Sequence, residues 1–78
     1  MLYDKNLKQA MLDVLSKRIS GIADSINALV EGGYVPNKNK RTILDWSILL
    51  FHAYENIDIF TEEQQHNLDI IYNKVLNL

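Results

Sequence analysis

A chain of 78 residues with eight Lys/Arg, ten Asp/Glu and no cysteine has room for one small domain and none for a multidomain enzyme. Hydrophobic residues at 47% and charged residues at 23% exclude a disordered acidic or basic tail, and the missing cysteines exclude disulfides, which leaves packing, a metal or association to supply the stability. Trp46 to Tyr54 is free of formal charge but far shorter than the roughly 20 residues a membrane-spanning helix needs. Met-Leu-Tyr-Asp-Lys at the start lacks the basic region and apolar run of a secretory signal, and cytoplasmic residence, or a place in a virion for a phage-encoded chain, is the expectation.

The first predicted helix covers residues 4–31. Leu12, Leu15, Ile19, Ile22, Ile26 and Leu29 recur at spacings of three and four, which a helix gathers on one face and a strand scatters. Asp13, Lys17, Ser20, Asp24, Asn27 and Glu31 fall on the other side. Asp4 suits an N-cap, Asp13 and Lys17 an i,i+4 ion pair, and Gly32 a left-handed C-cap. Gly21 reads as a tolerated glycine or a slight kink. The one cluster of helix breakers, from Gly32 to Asn37, marks a loop.

The second helix spans residues 39–56 with Asn37 or Asn39 as its cap. Ile43, Trp46, Leu50, Tyr54 and Ile57 make one apolar side, Leu44, Ile48 and Phe51 another, and the polar strip of Arg41, Asp45, His52 and Asn56 is narrow. So wide an apolar arc predicts a helix sandwiched between two neighbours. The third helix spans residues 62–77. Thr61-Glu62-Glu63-Gln64 is a capping box, the most specific local signal in the chain, and Leu68, Ile71, Tyr72, Val75 and Leu78 define a buried face. The predicted fold is an all-α, antiparallel three-helix bundle with a long first helix, forming a single domain over residues 1–78.

In that bundle the first helix, roughly 42 Å long against about 27 and 25 Å for the others, projects beyond its partner and leaves Leu7 and Met11 uncovered. Leu49 and Ile70 fall outside the predicted core arcs, and Tyr3 and Tyr34 at positions of expected exposure. Leu7, Met11, Leu49, Ile70 and Tyr3 are therefore the candidate protein interface, for self-association or docking onto a partner.

Chemistry-bearing patterns are weak. Glu63 and His66 match the Glu-x-x-His spacing of di-metal bundles, but the helical wheel turns them from the core, where only a second copy could complete a metal site. His52 sits on a polar strip beside Glu55. The hydroxyls of Ser16, Ser20, Ser25, Ser47, Thr42 and Thr61 have no His and carboxylate placed by sequence to activate them, and neither a phosphate loop nor a zinc-ligand spacing occurs. A non-enzymatic protein without cofactor or metal is expected.

Charge divides along the chain. Residues 1–41 carry seven cations against four anions, net +3, and residues 42–78 carry one against six, net −5. Lys38, Lys40 and Arg41 precede or open the second helix, where its dipole would add to their attraction for an anion. The leading expectation is a protein-interaction or structural module. Its richness in Asn, Ile, Leu and Lys reads as the coding bias of an AT-rich genome, and short, motif-poor helical chains of this kind are frequent among phage and mobile-element proteins. The alternatives are a small nucleic-acid-binding regulator using the basic loop, and an acidic antagonist of a host protein.

Overall fold

A computed structural model describes residues 2–36 and 38–78, with side chains from Leu7 onward apart from that of Asn37. The described residues are helical, with no strand among them, and form four α-helices: α1 (Leu2–Leu15), α2 (Ile19–Glu31), α3 (Lys40–Glu55) and α4 (Glu62–Leu76). A single 3-10 turn, Ile57–Ile59, joins α3 to α4. Both α1 and α4 pack on α2 and α3, which also touch each other.

The long first helix is therefore two helices, and its expected unbroken span is corrected here. The sequence carries two apolar phases before residue 31. Leu7, Ala10, Met11 and Val14 lie at spacings of three, four and seven, as do Ile19, Ile22, Ile26 and Leu29, but at 100° per residue the two stripes point about 90° apart. A straight helix would have to bury about half of its circumference to cover both. The chain breaks after Leu15 and folds α2 back on α1, so that Ala10, Ile22, Ala23, Ile26 and Leu29 are buried together and Leu7, Met11 and Val14 pack against them. Leu12 and Leu15, expected on the core face, are left 54% and 77% exposed.

No glycine makes this break. Lys17 takes the left-handed conformation at φ 60°, its N–H donates to the Val14 carbonyl at 3.0 Å, and the Arg18 N–H donates to the Asp13 carbonyl at 2.7 Å. That pair of bonds is a Schellman motif. The same motif closes α2, where Gly33 (φ 72°) and Tyr34 donate to Val30 and Leu29, so the left-handed position is Gly33 and not Gly32. A lysine in this conformation costs about 1 kcal/mol relative to glycine. Lys17→Gly is expected to raise stability by about 0.5–1 kcal/mol, read as a higher urea midpoint at unchanged slope.

Gly21, expected to be a tolerated glycine or a slight kink, makes room for a side chain of α1. Asp13, expected on the solvent side with Lys17, is only 5% exposed; its carboxylate lies against the Gly21 backbone, where a Cβ would collide with it, and accepts from Gln9 Nε2 at 3.4 Å. The charge therefore rests over the first turn of α2, where the helix dipole favours an anion. Gly21→Ala gains about 1 kcal/mol of helix propensity but must dislodge this buried carboxylate, and a net loss of about 1–2 kcal/mol is expected. Asp13→Ala in the same chain should turn that loss into a gain, a coupling measurable as a double-mutant cycle in urea.

The core is completed from α3 by Trp46, Leu49, Leu50 and Ala53, from α4 by Leu68 and Ile71, and from the connections by Tyr34 and Phe60. Tyr34, expected at the surface, is 2% exposed because its place after Gly33 turns it back over the end of α2; its ring centroid is 5.3 Å from that of Trp46. Its carbonyl accepts from Lys74 Nζ at 2.8 Å, tying α4 to the α2–α3 loop. Asn67 Nδ2 donates to Asn27 Oδ1 at 2.8 Å between α4 and α2. The capping box of α4 forms as expected, with Gln64 N–H donating to Thr61 Oγ1 and Thr61 N–H to Gln64 Oε1 at 3.1 and 2.9 Å. Asp4 lies inside α1 and not before it.

Candidate interaction surface

Four of the five expected interface residues have described side chains, and three of them, Leu7, Met11 and Leu49, lie in or against the core. Leu49 is completely buried, because α1, α2 and α4 together enclose the side of α3 that carries it. Leu7 and Met11 are half-buried against the core once α2 folds back along α1, and Ile70 is half-buried on α4. Tyr3 lies in α1 among the residues whose side chains fall outside the described set.

Among the described residues, a stripe of exposed apolar side chains lies on α3. The Asn39 side chain caps this helix, accepting from the Thr42 N–H at 2.8 Å, and Trp46, Leu49, Leu50 and Ala53 then form its buried arc. At 100° per residue, Leu44, Ile48 and Phe51 point about 170° away from the centre of that arc. They are 58%, 36% and 62% exposed. The expected sandwich is thus half built: α3 is covered along one side only.

Beside this stripe, α3 and α4 enclose an apolar groove of about 780 Å³, walled by Leu50, Phe51 and Tyr54 on one side and by Tyr72, Val75 and Leu76 on the other. Tyr54 and Tyr72 meet edge to face at 5.8 Å, and the Tyr54 hydroxyl donates to Asp69 Oδ1 at 2.7 Å. Burial first, and then the Asp69 hydrogen bond and charge, hold the Tyr54 phenol protonated well above its ordinary range. The stability from this pair is therefore present below about pH 10 and lost as pH rises further. Leu44, Ile48, Phe51, Tyr54, Tyr72 and Leu76 make a continuous apolar face of the kind that marks protein contact.

The basic loop is less well placed for an anion than the sequence implies. Lys38 and Lys40 are exposed, but Arg41 Nε is 3.6 Å from Asp45 Oδ2, and the Asn39 side chain already accepts from an amide of the first turn. His52 Nδ1 is 3.7 Å from Glu55 Oε1. Glu63 and His66 are exposed on α4, and no three His, Asp or Glu side chains converge as metal ligands among the described residues. No helix among the described residues is long and apolar enough to cross a membrane. Comparison with protein-family models, with curated proteins and with solved structures finds no match to this chain.

Proposed function

We propose that this chain is a non-enzymatic protein-interaction or structural module, which works by burying the outer face of α3 and the adjoining α3–α4 groove against another protein surface. The observation that carries this reading is the stripe of Leu44, Ile48 and Phe51, exposed on the side of α3 opposite its core. Single exposed apolar residues are ordinary, whereas three on one helical stripe, continuous with an aromatic-lined groove, keep a large apolar area in water. Aromatic anchors in such a setting supply most of the energy of a typical interface.

Site-specific photo-crosslinking in the cell that makes the protein tests this. A photoreactive residue at Phe51 should give a protein adduct of discrete mass, while one at Ser20, exposed on α2, should give none. Equal yields at the two positions, or no adduct at Phe51, would overturn the reading.

A further inference from the structure

We propose that the occupant of the outer face of α3 is a second copy of this chain, lying antiparallel across a two-fold axis at Ile48. This inference rests on the interaction-module reading and names its partner. Arg41, Leu44, Ile48, Phe51 and Glu55 are spaced three, four, three and four residues apart, the a/d seam of a heptad pattern, and run along one line about 21 Å long. All five are exposed.

The order of this line selects the partner. Arg41 lies seven residues before Ile48 and Glu55 seven residues after it, so an antiparallel copy sets Arg41 opposite the partner's Glu55 at both ends at once. Ile48 then faces the partner's Ile48, and Leu44 comes opposite the partner's Phe51 to within one residue's rise, about 1.5 Å. A parallel copy would set arginine on arginine and glutamate on glutamate, and like charges in contact are strongly unfavourable. The line is self-complementary in one direction only, as a two-fold interface requires. The side chains of Arg41 and Glu55 are 88% and 53% exposed, and each keeps hydrogen-bonding capacity beyond its contact with Asp45 or His52.

Sedimentation of four purified proteins decides the matter: the wild type, Arg41→Glu, Glu55→Arg and the double variant. All substitutions are at exposed positions, and helical content by circular dichroism checks that each chain folds. The wild type should reach twice the 9.0 kDa chain mass with rising concentration. Each single reversal should weaken association by about tenfold or more, and the double reversal, which restores both pairs, should recover it. A wild type that stays monomeric up to about millimolar concentration, or a double variant weaker than either single one, would overturn the proposal. A monomer that still gives a Phe51 adduct with a different protein removes the second copy but leaves the interaction module standing; a monomer with no adduct removes both.

Discussion

Trp46→Ala is expected to cost about 3–5 kcal/mol and to leave the chain close to unfolded at 25 °C. A domain of this length holds about 4–12 kcal/mol in all, at roughly 0.05–0.15 kcal/mol per residue, so one such loss removes much of its stability. The indole is completely buried at the centre of a core drawn from all four helices, and it stacks at a tilt against Tyr34 in the α2–α3 connection. Losing it opens a cavity where several elements meet, and none can close the gap without leaving another. Trp46→Phe should cost much less, because it keeps the ring contact and removes an indole N–H that has no acceptor among the described residues. Urea unfolding followed by circular dichroism measures both. A loss below about 1 kcal/mol for the alanine variant would contradict the central place given to this side chain.

Neighbouring residues on α3 should behave in opposite ways. Leu49→Ala is expected to lower stability by about 2–5 kcal/mol at every protein concentration, since Leu49 is completely enclosed within one chain. Ile48→Ala should change the stability of the monomer by less than about 1 kcal/mol, because the side chain is already 36% exposed, and should weaken association instead. Unfolding curves at two concentrations separate the two cases, since association makes stability depend on concentration.

This contrast explains which parts of the architecture were legible in the sequence. The start of α4 is legible, because Thr61 and Gln64 form their capping box within four residues of chain, and the start of α3 is legible to within two residues, Asn37 and Asn39 both being suitable caps and Asn39 taking the role. Helical phase alone points Trp46, Ile22, Ile26, Leu29, Leu68 and Ile71 into the core, where they lie. The break between α1 and α2 was hidden for a physical reason: its left-handed residue is a lysine, with neither glycine nor proline to announce it. The phase shift between Leu7-Ala10-Met11-Val14 and Ile19-Ile22-Ile26-Leu29 was the available signal.

The candidate surface was harder still. Leu49 and Phe51 are equally apolar in sequence, and what separates them is which side of α3 the other helices cover, a property of packing and not of α3 itself. With α2 folded back along α1, Leu7 and Met11 are half-buried, while Leu44, Ile48 and Phe51 stay exposed on the far side of α3. Tyr72 and Leu76 likewise border a groove that exists only because α3 and α4 lie side by side.

The measurement closest to the central claim is disulfide formation at Ile48→Cys, in a chain that has no other cysteine. Position 48 would lie on the two-fold axis facing its own copy, so mild oxidation should produce a covalent dimer quickly and at low concentration. Leu15→Cys, at a position 77% exposed in the single chain, should cross-link slowly. Cross-linking at position 15 as fast as at position 48 would contradict the account, because it would mean that exposure alone, and no apposition of α3 with its copy, brings the thiols together.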